Sequence, residues 1–444
     1  MDAKAQALIK AYLKNKLFLV VEPTVAGKTA IEKMLQKSAV ARKNVKFSKT
    51  AENALDIMKD MMPNYIICLD KLEDGTYKEI LELHLKQHPN RLDNGFILLT
   101  ENDSVDSVTR LAQSEIDAAV ILPFTVTSLQ TEFLKIILPK SAPSEYKVLI
   151  EAAREHMRFD LDKALIFLKK AKKADPKPFE ALYLEGMIHL SDKALELAKD
   201  SFEKSLHFNP TYYNSLKELF NIYISLKERA RAYQISKKLS ENFPVNPEMI
   251  PDLAWVSVAN AQYDDILNYH QAFKNVDEPD RDMKNYISAS LAIYGKKIIK
   301  DKLEGTSEVD DTLVQRAFQL MEEASVVCED KPLVFASLIN TLILSNNEAI
   351  TQKVLERAKS KFPKNKTIKI LEILADDATL APSQSLKNAQ DAIKTGLKSP
   401  EIYQIILKRS IELGLNEKAV NDYLEEASQE FPQLKPEFEK IISG

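Results

Sequence analysis

The chain has 444 residues, of which 45% are hydrophobic and 28% charged, and its net charge is -4. This balance is typical of a soluble protein with a hydrophobic core, and the lack of a strongly basic half argues against nucleic acid as a partner. Cys68 and Cys328 are the only cysteines, which excludes a disulfide scaffold and a cysteine zinc site.

The same features predict the compartment. Two distant cysteines fit a reducing environment, and no apolar run approaches the ~20 residues that a membrane helix needs. The start of the chain lacks the apolar stretch of a signal peptide. We therefore expect a cytoplasmic protein that does not insert into a membrane.

The first 138 residues alternate strand-length apolar runs with helical patterns. Residues 1–15 read as a polar lead-in or a short helix. Strands are predicted at 17–21, 44–49, 65–69, 95–100 and 118–122, and helices at 29–40, 51–61, 76–87, 105–114 and 125–138. Five strand–helix units over residues 16–138 predict an α/β domain with a doubly wound parallel sheet, whose ligands would lie outside the carboxyl ends of the strands.

The stretch "VVEPTVAGKTA" suggests a phosphate-binding loop, but its spacing is wrong. The first glycine of such a loop would fall at position 22, which is Glu22. A carboxylate there repels phosphate, and Pro23 removes an amide donor that the loop needs. Gly27 and Lys28 are instead expected in the first turn of a helix.

With "LFLVVEP", "FILLTEND" and "DAAVILPFTVTSL" in view, residues 16–138 resemble the receiver domain of bacterial response regulators. In that family, two acids bind Mg²⁺, an aspartate on the third strand accepts phosphate, a hydroxyl senses it, and a lysine before a proline contacts it. Carboxylate oxygens suit Mg²⁺, and a lysine neutralises phosphoryl charge.

The resemblance implies a degenerate pocket in this chain. The acid pair becomes Glu22 and Pro23, and the hydroxyl is Thr100. Leu122 occupies the position of the lysine, and the resemblance implies a cis peptide bond between Leu122 and Pro123. A gap-free alignment with the family places the phosphate-accepting position on Leu69, and only a one-residue shift of that alignment places it on Asp70. We expect no cofactor and no metal, with at most weak Mg²⁺ binding at Glu22 and Asp70.

The favoured interpretation is a pseudo-receiver that serves as a docking or dimerisation module through residues 105–138. In it, Asp70, Glu73 and Asp74 form a solvated acidic loop, and Thr100 caps the following helix.

A linker is predicted at 139–144, and residues 145–444 carry a repeat. Pro176, Pro210 and Pro244 are 34 residues apart, and a small residue stands twelve positions before each, at Ala164, Ala198 and Ala232. This pattern resembles the tetratricopeptide repeat, a helix–turn–helix unit. About eight units and a terminal cap fit the length, which predicts an all-α superhelix with a concave binding face.

Other candidate sites are weaker. His84 and His88 are four residues apart on one predicted helix, but without a metal-binding motif they are expected at a solvated helix end. Lys217 and Asn221 match part of a carboxylate clamp, yet the next unit offers Asp252, which would repel a carboxylate. Repeat positions place seven residues on the predicted groove: Tyr183, Met187, Lys217, Asn221, Ile224, Trp255 and Val258. Trp255 fits core and groove equally well.

The sequence thus predicts a non-enzymatic bacterial signalling adaptor that holds a protein or peptide partner in a tetratricopeptide groove, with possible homodimerisation through the receiver-like domain. Two alternatives stay open. One is a phosphorylation-responsive response regulator with Asp70 as acceptor, and the other is a purely structural scaffold.

Overall fold

A computed structural model describes residues 3–101, 116–276, 278–305 and 309–443. The chain divides into two compact units, Met1–Pro244 and Val245–Gly444. Among the described residues, the first unit contains the α/β domain and six further helices, and the second contains helices alone.

Five parallel strands form the predicted doubly wound sheet. They are β1 (Phe18–Val21), β2 (Val45–Ser48), β3 (Tyr65–Leu69), β6 (Gly95–Thr100) and β7 (Ala118–Ile121), and their order is β2-β1-β3-β6-β7. A short antiparallel hairpin, β4 (Lys71–Leu72) and β5 (Gly75–Thr76), follows β3. The strands are short apolar runs because both faces of a parallel sheet are covered by helices.

Two hydrophobic layers sandwich this sheet. One face packs against α1 (Ala3–Leu13), α2 (Val25–Lys37) and α5 (Val126–Ser141), and the other packs against α3 (Ala51–Met61) and α4 (Tyr77–Gln87). Gly27 and Lys28 lie in the first turn of α2, as predicted. The helix predicted at 105–114 lies outside the described residues.

The N-terminal segment is part of the α/β domain rather than a lead-in to it. Ile9 and Leu13 of α1 are buried in the same cluster as Phe18 and Phe133. The Tyr12 and Tyr65 hydroxyls are 2.7 Å apart. Ile9 and Leu13 are four residues apart, so they lie on one face of α1 and form an apolar stripe that packs against the sheet.

The predicted linker is shorter than expected, because α5 continues to Ser141 with Pro139 inside it. The last turn is held by Lys140, whose ammonium group contacts the carboxylate of Asp117 and the carbonyl of Asn94. Only residues 142–144 then separate α5 from the next helix.

Three antiparallel helix pairs complete the first unit. They are α6 (Glu145–His156) with α7 (Leu161–Ala174), α8 (Phe179–Ser191) with α9 (Leu195–Phe208), and α10 (Tyr213–Ser225) with α11 (Arg229–Asn242). Ala164, Ala198 and Ala232 are fully buried. A Cβ atom on Gly186 would lie 2.6 Å from the Phe202 ring, so small residues allow these helices to approach closely.

The second unit continues with five further pairs and a terminal helix in the described part of the chain. The helices are α12 (Ile250–Ala259), α13 (Asp265–Lys274), α14 (Arg281–Glu304), α15 (Asp311–Val327), α16 (Pro332–Leu344), α17 (Glu348–Lys361), α18 (Lys366–Thr379), α19 (Pro382–Lys394), α20 (Pro400–Glu412), α21 (Glu417–Glu430) and α22 (Lys435–Ser443). Among the described residues, no helix has the length and apolar character required to cross a membrane.

Candidate functional site

Glu22 directly follows β1 at the carboxyl edge of the sheet, and its carboxylate binds within the local turn. The side chain is buried. Its Oε1 atom accepts from the Thr24 amide at 2.9 Å and from the Thr24 hydroxyl at 2.5 Å. Thr24 in turn caps α2 through the Gly27 amide. Glu22 therefore stabilises the start of α2.

Asp70 and Thr100 lie together at the same edge, one after β3 and one at the end of β6. The Thr100 hydroxyl donates to Asp70 Oδ2 at 2.8 Å, and the Asp70 amide donates to the Leu99 carbonyl at 2.9 Å. Both side chains are buried. The acceptor and hydroxyl positions suggested by the receiver resemblance are thus brought into contact.

Side chains alternate between the two faces of the sheet along the strands that lead to Glu22 and Asp70. Phe18 and Val20 face α2 and α5, whereas Ile66 and Cys68 face α3 and α4. Glu22 and Asp70 follow the ends of these two strands, and burial together with the charges of Asp70 and Glu22 raises the pKa of the Cys68 thiol. The described residues contain no group of three or more His, Cys, Asp or Glu side chains that could hold a metal.

Leu122, at the position where the receiver family has its lysine, carries no charge. Leu122 follows β7, and its amide donates to the Thr100 carbonyl at 2.8 Å. The Leu122–Pro123 peptide bond is cis, as predicted. Of the predicted docking surface at 105–138, residues 105–115 lie outside the described residues, and Ile121 and Leu138 are exposed in the remainder.

The predicted solvated acidic loop is wrong for one of its three residues, Asp70. Asp70 is buried, and the exposed Asp74 caps α3, because its carboxylate accepts from the Ala51 and Glu52 amides at 2.8 and 2.9 Å. These backbone hydrogen bonds lower the pKa of Asp74. Glu73 is exposed, as expected.

The prediction of a solvated histidine pair is also wrong. His84 is fully buried, with its ring centroid 6.1 Å from that of Phe96 and 5.1 Å from that of His88. Neither ring nitrogen of His84 has a hydrogen-bond partner among the described residues. Burial, together with the charges of Arg91, His88 and Lys140, lowers its pKa to about 2. The apolar face of α4 carries His84 into the core because Ile80 and Leu81 precede it there.

A charged network joins the α/β domain to the first helix pairs. Asp117 binds Lys140, and it also binds Arg91 at 2.6 Å. The Arg91 amide donates to Glu151 Oε2 of α6 at 2.7 Å. Burial raises the pKa of Glu151, so this buried carboxylate depends on the donors around it.

The network continues from α6 to α8. Arg154 contacts Glu180 Oε1 at 2.9 Å, and Lys147 contacts the other oxygen of the same carboxylate. Burial alone would raise the pKa of Glu180, but Lys147 and Arg154 lower it overall. The α/β domain and the first two helix pairs are thereby held together by paired, largely buried charges.

A cleft of about 710 Å³ opens beside this network; we call it the junction cleft. One wall comes from β7 and α5, and the other comes from α6, α8 and the start of α10. Apolar, aromatic and charged side chains line it, among them Ala118, Ile136, Lys147, Phe179, Glu180, Tyr212 and Asn214. Phe179 and Tyr212 make an edge-on ring contact at 4.9 Å.

The seven predicted groove residues lie on three helices, α8, α10 and α12. Tyr183 and Met187 face the α/β domain, because they line a smaller cleft with Leu85, His88 and Pro89. Asn221 is exposed, and Lys217 and Ile224 are half-buried on α10. In the second unit, Trp255 is 37% exposed and Val258 is half-buried, so Trp255 is not a core residue.

Sequence reasoning missed the residues of the junction. Arg91, Asp117, Lys140 and Glu180 are distant in sequence and belong to no motif. The only local signal was the spacing of Lys147, Glu151 and Arg154, which places them on one face of α6. Nothing in that spacing identifies the loop and sheet edge that they meet.

No protein-family model matches the chain, and no curated protein matches it. Several solved structures are similar. YrrB, a TPR protein with an unusual peptide-binding site, is 16% identical with a TM-score of 0.32, and the match covers 45% of this chain and 95% of YrrB.

Two further structures resemble the chain. A tetratricopeptide repeat protein from Parabacteroides merdae is 15% identical with a TM-score of 0.30, over 60% of this chain and 99% of that one. The response regulator DrrB of Thermotoga maritima is 15% identical with a TM-score of 0.25, over 36% of this chain and 89% of DrrB. At these values, the fold assignment rests on the sheet and the helix pairs described above.

Proposed function

We propose that the chain is a non-enzymatic protein-interaction adaptor that binds a peptide or protein partner along the first helices of its helix pairs. The junction cleft carries this proposal. Its volume lies within the ~300–1,000 Å³ typical of ligand clefts. Aromatic side chains such as Phe179 and Tyr212 supply large, rigid contact surfaces in protein interfaces.

The α/β domain has a structural part in this function. It forms one wall of the junction cleft, and its contacts with α6 pre-organise that wall. Since a preformed site loses less conformational entropy on binding, such an arrangement favours affinity. The receiver-like strand order supports a role in bacterial cytoplasmic signalling, with the domain acting as a docking or dimerisation module.

Site-specific photo-crosslinking in the full chain tests the adaptor role. A photoreactive phenylalanine analogue at Asn214 or Asn221 should capture a discrete partner, whereas the same analogue at Lys204, on the second helix of a pair, should not. Equal capture at all three positions would contradict groove binding. Capture at none of them would favour a structural scaffold.

The phosphorylation-responsive alternative is supported by one observation, the 2.8 Å contact between Thr100 and Asp70. Against it, Glu22 is bound to Thr24, and Leu122 replaces the lysine. Acetyl phosphate or beryllofluoride with Mg²⁺ separates the two functions. We expect no added phosphoryl mass and no change in the amide spectrum, and a response abolished by Asp70→Asn would establish the alternative.

A further inference from the structure

Helix α7 carries a basic surface that the groove does not use. Ala164, Leu168 and Ala171 are buried. Since each residue turns the helix by about 100°, the opposite face collects Lys163, Ile166, Lys169, Lys170 and Lys173. All five are exposed. We call them the α7 basic ridge.

The described residues supply no ion-pair partner for the charges of this ridge. In the described part of the molecule, none of its four lysines forms an ion pair, and Asp162 is the only acidic residue of α7. The contrast is α9, where Lys204 pairs with Asp200 at 2.5 Å. Lys172, on the flank of α7, reaches Glu185 at 2.7 Å and so lies outside the ridge.

The spacing within the ridge is repulsive. Lys169 and Lys173 are four residues apart, and Lys170 and Lys173 are three apart, so like charges face each other along the helix. The helix dipole favours lysines in the last turn, which accounts for Lys173. It does not account for Lys163 in the first turn, where a positive charge is disfavoured.

Apolar surface accompanies these charges. Ile166 lies at the centre of the ridge and is 55% exposed, and Phe159, two residues before α7, is 71% exposed. An apolar side chain of a partner packed against Ile166 would remove this surface from water, which is favourable.

We propose that the α7 basic ridge binds an acidic segment of a partner protein, with carboxylates on the lysines and an apolar side chain against Ile166. A membrane surface fits less well, because the apolar face of α7 is already buried in the helix pairs and cannot insert. Nucleic acid fits less well because nucleic-acid-binding domains usually have a pI above ~9, whereas the pI of this chain is about 6.0.

Fluorescence anisotropy with the full chain tests this inference. The probe is a fluorescein-labelled, glutamate-rich peptide with a central leucine, and a second peptide carries alanine in its place. Replacing Lys169, Lys170 and Lys173 with glutamate should weaken binding of the leucine peptide at least about tenfold. The matched control variant carries the same replacement with glutamate at Lys204, Lys237 and Lys238, which are exposed lysines of α9 and α11. This variant should bind the peptide nearly as well as the unaltered chain does.

Ile166→Ala measures the apolar contribution. It should weaken binding of the leucine peptide and leave the alanine peptide unaffected, while circular dichroism confirms that each variant folds. The inference is overturned if the two triple variants bind alike, or if phosphatidylserine vesicles or single-stranded DNA bind the ridge more tightly than the peptide. Asn214 and Asn221 lie on α10, outside the α7 basic ridge. Failure of crosslinking at these two positions would therefore contradict the proposed function without contradicting this inference.

Discussion

The Thr100 hydroxyl donates a 2.8 Å hydrogen bond to the Asp70 carboxylate, joining the residue that ends β6 to the residue that follows β3. In a receiver, these positions would serve phosphate chemistry. Here Glu22 is bound to Thr24, and the position of the lysine is Leu122. The contact is accordingly expected to act as a structural link between neighbouring strands.

Replacing the Thr100 hydroxyl tests that link. Thr100→Val keeps the side-chain shape but removes a donor from a buried carboxylate, which should destabilise this edge of the sheet by ~1–3 kcal/mol. Native-state hydrogen exchange of the Asp70 amide measures the change. Thr100→Ser, which keeps the hydroxyl, is the control and should cost clearly less. Equal exchange in both variants would show that the hydrogen bond is not stabilising.

Gly27→Ala should reverse the usual effect of alanine in a helix. Alanine normally stabilises a helix by ~1 kcal/mol relative to glycine. Here the new Cβ would lie 2.6 Å from Glu22 Cδ and 2.8 Å from Thr24 Oγ1, so Glu22 must move or the turn must open. We expect a lower thermal midpoint.

Two further variants check the role of Glu22. Gly75→Ala, whose Cβ meets only Ala51 at 3.5 Å, should leave the midpoint nearly unchanged. Adding Glu22→Ala to Gly27→Ala should recover part of the loss attributable to the clash. A stabilising effect of Gly27→Ala alone would contradict the crowding seen around Glu22.

His84 predicts an acid-sensitive fold. Burial lowers its pKa to about 2 in the folded chain from the ordinary value of 6.5. Between those two values the unfolded chain binds a proton that the folded chain does not, so stability falls as pH decreases, by up to ~1.4 kcal/mol per pH unit. Above pH ~6.5 His84 binds no proton in either the folded or the unfolded chain, so this loss of stability is absent.

The comparison between His84→Phe and the unaltered chain isolates this effect from other titrating groups. Urea denaturation at pH 7 and pH 5 should show a smaller acid loss in the variant than in the unaltered chain. His207→Phe alters an exposed histidine of α9 and should leave the acid loss unchanged. The interpretation fails if His84→Phe is as acid-sensitive as the unaltered chain.

Glu151→Ala should loosen the junction between the α/β domain and α6. It removes the acceptor of the partly buried Arg91 amide and leaves that donor unsatisfied, at a cost of ~1–3 kcal/mol. Hydrogen exchange of residues 88–95 should accelerate. Glu185→Gln, which alters the more exposed pair with Lys172, should leave that segment unchanged.

Trp255 offers an optical test of the second unit. As the only tryptophan and 37% exposed, it should be quenched readily by iodide. Quenching as weak as that of a fully buried indole would place Trp255 in the core. Binding of a partner along α12 should protect it from the quencher.

The order of elements could be predicted from the sequence because it depends on local patterns. The bounds of β3 and β6 coincide with the apolar runs that predicted them, since both faces of a parallel sheet must be buried. The bounds of α3 coincide with the helical pattern that predicted it. The positions of the repeat alanines were equally local, because a small residue is needed wherever two helices of a pair approach.

The tertiary structure decided which side chains meet. The sequence determined that Glu22, Asp70 and Thr100 lie at one edge of a sheet, and that a lysine is missing beside them. The folded chain then bound Glu22 to Thr24 and joined Asp70 to Thr100. Likewise, Arg91 meets Glu151 only because a short connection folds α6 against the loop before β6. Such contacts arise from packing between distant segments, and no local pattern of residues encodes them.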